Sequence, residues 1–429
     1  MKKYGTYKDS GIEWLGQIPK HWEVKKLKFF ANVVLGKMLT NDDKGDYQLK
    51  PYLRAKNIEW NTPYMDDVKE MWFSENELRQ YRIKKDDLLV SEGGEVGRTC
   101  IWADELDECY IQNSVHKVSF LNGINPKFFL NQFILFGKRG HFDAIVNRIS
   151  IAHLTKEKVK EISFIYPPIE EQQQLAYYLD FKTNQIETLI SNKEKLIELL
   201  KEERTAIINQ AVTKGINPNV PMKDSEIEWL GEIPRHWEIK KLKYLCSLIG
   251  EKVKEKPEYV IALENIESWT GKVTGQGDIE NMEGDVNLFK SGDVLFNKLR
   301  PYLAKVVLAK QSGGCAGELL VLRSNEKMLP EFLFYRMISE MVITIVDGST
   351  YGTKMPRASW EKFISQLQFP FPKKEEQKLI VDYIESEQYR IDTIITKSEQ
   401  EIELLKEYKT ALISEVVTGK VDVRDEVTA

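Results

Sequence analysis

Cysteine is scarce in this chain of 429 residues. The four present, Cys100, Cys109, Cys246 and Cys315, form no CxxC pair, and the five histidines are scattered without HxxxH or CxxH spacing. Structural zinc needs donors gathered by such spacing, so no metal site is expected. The cysteines read as small, half-buried apolar side chains of a reducing compartment. No run of eighteen apolar residues occurs, so no membrane-spanning helix is expected. The opening MKKYGTYKDSGIEW also lacks the apolar stretch of a secretory signal, which points to the cytoplasm.

Phosphate-cradling motifs are missing as well. Gly93-Gly94-Glu95-Val96-Gly97 and Gly348-Ser349-Thr350-Tyr351-Gly352-Thr353-Lys354 lack the GxxxxGK[ST] spacing and read as loops. Acidic runs such as Asp104-Glu105-Leu106-Asp107-Glu108 read as solvated surface rather than as a nuclease centre. An excess of positive charge is absent too: 61 basic against 66 acidic side chains give −5, which argues against phosphate binding over the whole surface. The balance is uneven, however. Residues 1–160 carry 26 basic and 22 acidic side chains and residues 161–214 carry 6 and 9, whereas residues 215–368 carry 20 and 21 and residues 369–429 carry 9 and 14. Any nucleic-acid surface is therefore a local basic face on the first or third segment.

What is abundant is internal repetition. Lys8-Asp9-Ser10-Gly11-Ile12-Glu13-Trp14-Leu15-Gly16-Gln17-Ile18-Pro19-Lys20-His21-Trp22-Glu23 returns as Lys223-Asp224-Ser225-Glu226-Ile227-Glu228-Trp229-Leu230-Gly231-Glu232-Ile233-Pro234-Arg235-His236-Trp237-Glu238, an offset of 215. A second landmark, Glu171-Gln172 through Val212-Thr213, returns as Glu376-Gln377 through Val417-Thr418 at an offset of 205. Between the landmarks the halves diverge but keep a skeleton. Ala55-Lys56-Asn57-Ile58 resembles Leu263-Glu264-Asn265-Ile266, and Lys85-Asp86-Asp87-Leu88-Leu89 resembles Ser291-Gly292-Asp293-Val294-Leu295. Strands are expected at 86–90, 115–120, 294–296 and 319–322. Repeated ends around unlike middles imply one fold with two different surfaces. His21 and His236, each beside a Trp, are expected to pack at the start of each domain.

From Glu170 to about Val212 neither Pro nor Gly interrupts the chain, and apolar residues recur in steps of three and four: Leu175, Leu179, Ile186, Leu189, Leu196, Leu200 and Ile207. Its counterpart carries Ile380, Ile384, Ile391, Ile394, Ile402, Leu405 and Leu412. Pro167-Pro168 and Pro372 precede the two segments, and Gly215 and Gly419 follow them, as start and stop chemistry requires. Two long helices are predicted, pairing as an antiparallel coiled coil. Matched polar breaks at Lys182 and Lys193, and at Glu387 and Ser398, help to fix their alignment. The fold class is thus α+β: two strand-rich domains, 1–168 and 215–372, each followed by a long helix, 169–214 and 373–420, with a tail at 421–429. An approximate two-fold relation between the halves is expected, with helix length setting the distance between the two globes.

This layout resembles the specificity subunit of type I restriction-modification systems. The resemblance covers essentially the whole chain. It rests on Pro167-Pro168-Ile169-Glu170-Glu171-Gln172, Glu375-Glu376-Gln377, Gly292-Asp293-Val294-Leu295-Phe296 and Val417-Thr418-Gly419-Lys420-Val421-Asp422. It implies two target-recognition domains that read the two parts of a split double-stranded DNA sequence. The helices are then the platform for two modification subunits, which carry S-adenosylmethionine and methylate adenine, and restriction subunits use ATP and Mg to cut. No cofactor is expected in this chain. Two departures are Asp86 where the second half has Gly292, and the order Lys214-Gly215 against Gly419-Lys420. The active-site tetrapeptide of an adenine methyltransferase is missing, since Tyr166-Pro167-Pro168 has the letters in the wrong order and reads as a helix boundary.

Base reading requires paired donors and acceptors from Arg, Lys, Asn and Gln, with further cations on phosphates. The candidates are Lys56, Asn57, Arg98, Asn113, Lys117 and Arg148 in the first domain. In the second they are Asn265, Asn297, Lys298, Arg300, Lys305, Tyr351, Lys354 and Arg357. The cluster Asn297-Lys298-Leu299-Arg300-Pro301-Tyr302, just after a predicted strand, ranks first. Two other readings stand beside this one. A coiled-coil scaffold predicts interchangeable domains and no salt-sensitive DNA binding, and a self-sufficient nucleic-acid enzyme predicts activity from the isolated chain.

Overall fold

The computed structural model describes residues 2–145, 153–253, 257–275, 277, 286–352 and 354–426. The chain divides into two compact units, Met1–Asn192 with Glu401–Ala429, and Lys193–Gln400. Each unit takes one globular part and a stretch of both long helices.

The two units are built alike. In the first, a four-stranded antiparallel sheet runs in the order Ala31–Leu35, Val115–Phe120, Leu88–Ser91, Thr99–Ile101; in the second the order is Cys246–Ile249, Leu319–Ser324, Val294–Asn297, Val306–Leu308. The strand register equates Leu88 with Val294 and Val115 with Leu319. Helix Pro126–Lys138 or Pro330–Ile338 supplies the aromatic and aliphatic side chains that bury one face of that sheet. A smaller sheet encloses a second core in each unit, around Leu53, Ile58, Cys100 and Ile111, or around Ile261, Ile266, Leu295 and Cys315. All four cysteines are fully rather than half buried. Burial pushes the thiols of Cys109, Cys246 and Cys315 up to about 12, which keeps them protonated and inert.

Asp86 and Gly292 adopt the same left-handed backbone, with φ of 70° and 88°. Their N–H groups donate to matching carbonyls, Trp102 O and Ala309 O, both at 2.8 Å. The departure from the family pattern therefore leaves the loop shape unchanged; Asp is among the few side chains that tolerate this region. Because that turn comes first, the strand begins at Leu88, two residues later than expected.

The shared sequence motif docks on the start of each long helix. His21 Nε2 lies 2.8 Å from Glu171 Oε2, and His236 Nε2 lies 2.7 Å from Glu376 Oε2. The neighbouring amides act as staples. Gln172 Nε2 donates to Pro167 O and Gln377 Nε2 to Pro372 O, while their oxygens accept from the backbone N–H of Asn125 and Leu329. The Glu-Gln pair thus joins hairpin, strand, helix start and packing helix at one point.

The long helices span Ile169–Lys214 and Lys374–Val417, 46 and 44 residues. In each unit their stretches run antiparallel. In the first, Glu171 faces Arg424 and Glu187 faces Lys409; in the second, Glu203 faces Arg390 and Gly215 lies beside Glu376. The seam differs from the expected one. Leu175, Leu179, Ile186 and Leu200 are buried, as are Ile380, Ile384, Ile391, Ile402 and Leu412. Ile207, Ile394 and Leu405 are half buried. Leu189 and Leu196, however, are 45% and 40% exposed, and Ile190 and Ile197 turn inward instead. Adjacent apolar residues satisfy a three-step and a four-step count equally well, and only the facing helix selects between them. Ser398 is buried. The polar seam position that the sequence reading missed is Arg204, 12% exposed and bonded to Asp392.

Candidate nucleic-acid interface

In each unit three loops converge where the main sheet meets the smaller one. In the first these are residues 54–57, 92–98 and 112–114; in the second, 262–265, 298–305 and 316–318. The backbone framework is common to both. Glu92 N donates to Ser114 O (2.9 Å) as Lys298 N does to Glu318 O (3.1 Å), and Leu154 N donates to Glu92 O as Ala358 N does to Lys298 O, both at 2.9 Å.

Several proposed base readers belong to this framework. Asn57 is fully buried: its Oδ1 accepts from Arg54 N (3.1 Å) and its Nδ2 donates to Tyr64 O (2.9 Å). Asn265 repeats both bonds with Ala262 N and Thr274 O, each at 3.2 Å. Arg98 Nη2 donates to Ala55 O (3.2 Å) and Lys305 Nζ to Leu263 O (2.6 Å), the same carbonyl of the same turn. Asn297 Nδ2 donates to Leu299 O, two residues on, just as the matching Ser91 Oγ donates to Gly93 O. Lys117 is buried, with its Nζ on Gln80 O and Arg82 O (3.0 and 2.6 Å), and burial lowers its pKa. A buried amide or ammonium bonded to backbone carbonyls has fewer donors to offer a base edge, and burial keeps it from reaching one. Asn57, Asn297 and Lys117, expected among the readers, are thus bonded inward to the framework rather than set on the rim. Arg148 lies outside the described residues.

The side chains on the rim are different. In the first unit Lys56 is exposed and pairs with Asp67 (2.8 Å), which also binds Arg54 and Lys69; the hydrogen bonds from Lys56 and Lys69 hold the Asp67 carboxyl far below its usual range. Asn113 is half buried, its Oδ1 accepting from Gln112 Nε2 at 2.7 Å.

In the second unit the structure unites two segments fifty residues apart in sequence. Tyr351 and Arg357 pair as in a tight hairpin, exchanging both backbone bonds at 3.1 Å. Its base clamps residues 298–300 through Ala358 N to Lys298 O and Arg300 N to Pro356 O (2.9 and 2.8 Å). Lys298, Arg300, Tyr351, Lys354 and Arg357 thereby share one surface, with the Tyr351 ring 61% exposed. Arg300 is presented from left-handed backbone, φ 51°, a conformation that costs a non-glycine residue roughly 1 kcal/mol and is held by its bond to Pro356. Lys298, Tyr351 and Arg357 also line an open hollow of about 500 Å³.

Glu318 was absent from the sequence-derived set. It accepts from Arg357 Nη2 at 2.8 Å and lies 3.8 Å from Lys298 Nζ. A search for donors passes over an acid; the only signal was that the matching position in the first half is Ser114. Among the described residues no cluster of His, Cys, Asp and Glu is arranged to hold a metal ion, and no helix is long and apolar enough to cross a membrane.

Comparison with known proteins gives this geometry its context. The MjaVIII specificity subunit of a type I restriction enzyme from Methanocaldococcus jannaschii is 25% identical over 434 residues, covering 95% of each chain. The EcoDI specificity subunit from Escherichia coli is 26% identical over 295 residues, 63% of this chain and 66% of that one. Two solved structures share the fold. One, described as the basis of complex assembly and conformational transition of the type I R-M system, has a TM-score of 0.69 at 14% identity over 94% of this chain and 99% of that one. The other, the HsdS subunit from Thermoanaerobacter tengcongensis, has a TM-score of 0.58 at 15% identity over 94% and 98%. The type I restriction modification DNA specificity domain matches at residues 19–199 and again at 234–404, and the chain therefore belongs to that family.

Proposed function

We propose that this chain is the DNA-recognition subunit of a type I restriction-modification complex in which the two units read unlike parts of one bipartite double-stranded sequence. The reading is supported above all by one observation: the units keep the same buried hydrogen-bond framework while the rim residues on it differ. Where Glu92 and Ser114 stand in the first unit, Lys298 and Glu318 stand in the second, on the same backbone bonds. A scaffold gains nothing from that divergence, whereas a reader of two different half-sites requires it.

The rim residues assigned to DNA are Lys56 and Asn113 in the first unit and Lys298, Arg300, Tyr351, Lys354 and Arg357 in the second; Arg148, outside the described residues, is assigned to DNA from its sequence alone. Arg98, Asn265 and Lys305 act by shaping the loops. The chain carries no catalytic residue. Methylation of adenine with S-adenosylmethionine belongs to two modification subunits assembled on the long helices, and ATP- and Mg-dependent cleavage to restriction subunits, in the cytoplasm.

The test is single-molecule sequencing of methylated adenines in a host that expresses this chain with its modification subunit. The expected result is one interrupted motif with two unlike parts. Methylation without a motif, or DNA binding by the complex that ignores salt concentration, would favour the scaffold reading instead.

A further inference from the structure

The rim of the second unit sets the carboxylate of Glu318 among its cations, and the bonding of that carboxylate is directional. Glu318 accepts from Arg357 Nη2 at 2.8 Å and from Arg357 Nε at 3.2 and 3.3 Å. A guanidinium has two edges able to make paired hydrogen bonds, Nε with Nη2 and Nη1 with Nη2. Glu318 takes the first. The second, the outer edge, is the one left to pair with O6 and N7 of guanine in the major groove.

The backbone behind this side chain is fixed. Arg357 N and O are both bonded to Tyr351, and Leu299 bridges Arg357 from the other side. Arg357 and Glu318 are each about one-third exposed, 36% and 29%, so the pair sits at the surface where a ligand can reach it. Among the described residues the first unit shows no such pair at this place. Ser114 stands in the position of Glu318 and its hydroxyl turns inward, donating to Gln112 Oε1 and accepting from Ala55 N.

Resting on the DNA-reading function above, we propose that Glu318 is a positioning residue: it clamps Arg357 side-on, so that the outer edge of the guanidinium reads a guanine in the half-site of the second unit. Without the clamp the side chain is free to swing onto phosphate, where a cation contributes affinity but no sequence preference.

The test uses the full chain co-expressed with its modification subunit, and its readout is the base composition of methylated sites, position by position. Wild type is expected to require a G·C pair at one position of one half-site. Glu318→Ala should lower discrimination at that single position about ten-fold or more, Glu318→Gln, which keeps one acceptor, should lower it less, and Arg357→Ala should relax the same position. The other half-site and the spacer stay intact and report that the protein is folded. The proposal is overturned by an unchanged motif in Glu318→Ala, by relaxation at a different position from Arg357→Ala, or by a uniform fall in methylation with no base relaxed. A wild-type motif that is bipartite but lacks any such G·C pair also overturns it while leaving the reading of function standing. Absence of a bipartite motif in wild type overturns both.

Discussion

Arg98 in the first unit and Lys305 in the second send their cations to the same carbonyl of the same turn, Ala55 O and Leu263 O. Their neighbours in sequence are unalike, so the match lies in the fold rather than in the letters. A charged donor on a buried carbonyl contributes about 1.5–3 kcal/mol where water is excluded. Lys305→Met is therefore expected to lower stability by about 1–2 kcal/mol in urea denaturation, discounted for the half-buried site, and to leave the methylation motif unchanged. An altered base preference would return Lys305 to the reading set.

Arg336 shows how one backbone change forces another. It is fully buried in the second unit, with Nη1 on Val212 O at 3.0 Å at the end of the first long helix and its guanidinium 4.8 Å from the centre of the Phe369 ring; Nε and Nη2 lack partners among the described residues. The matching residue of the first unit is Gln132, whose amide bonds both the C=O and the N–H of Ile165. At the position of Ile165 the second unit has Pro370, which has no N–H to offer. Arg336→Gln should therefore cost about 1–3 kcal/mol for an unsatisfied buried amide, and Arg336→Gln with Pro370→Ile should recover most of it. A double-mutant cycle with no coupling would refute the account.

One ion pair between the long helices recurs at the same position of both repeats. Arg204 with Asp392 and Lys409 with Glu187 are related by the offset of 205. Their environments differ: the Arg204 side chain is 12% exposed and Asp392 also holds Lys272 at 2.9 Å, whereas Glu187 is more than half exposed. Asp392→Ala should cost about 2–3 kcal/mol because it strands a largely buried cation. Glu187→Ala should cost less than about 1 kcal/mol. Equal losses in thermal denaturation would show that burial is not the deciding variable.

His116 is fully buried, and its Nε2–H donates to Leu154 O at 2.6 Å. Burial holds its pKa below the ordinary 6.5. On acidification the unfolded chain therefore takes up this proton first. The stability contribution is complete above about pH 6.5 and is lost as pH falls towards the lowered folded value, at up to about 1.4 kcal/mol per pH unit. His116→Leu, which copies the matching Leu320, should flatten the loss between pH 7.5 and pH 5.5. A variant with the same pH slope as wild type would assign the acid sensitivity to other groups.

The repeated letters explain why the architecture was legible. The motif ending in His21-Trp22 and His236-Trp237, and the Glu-Gln pair opening each helix, are local sequences whose bonding partners recur with them, so finding the repeat amounted to finding the junction. The candidate readers were less legible. Asn57, Arg98 and Lys305 have the chemistry of base readers, and nothing local says that a carbonyl has already claimed them. The seam failed for a similar reason at Leu189 and Leu196, where each apolar residue has an apolar neighbour one step on.

By itself, then, the sequence determined what depends on periodicity and repetition: two α+β halves, and two uninterrupted long helices with Gly215 and Gly419 as the stops behind them. Only the tertiary structure decided which donors remain available. Whether Lys298 and Arg357 share a surface, and whether a carboxylate fixes the edge that Arg357 presents, depends on contacts between residues 298–300, 318 and 351–358. Such contacts join segments far apart in the chain, and their energy resides in burial and hydrogen-bond geometry that no local pattern of letters encodes.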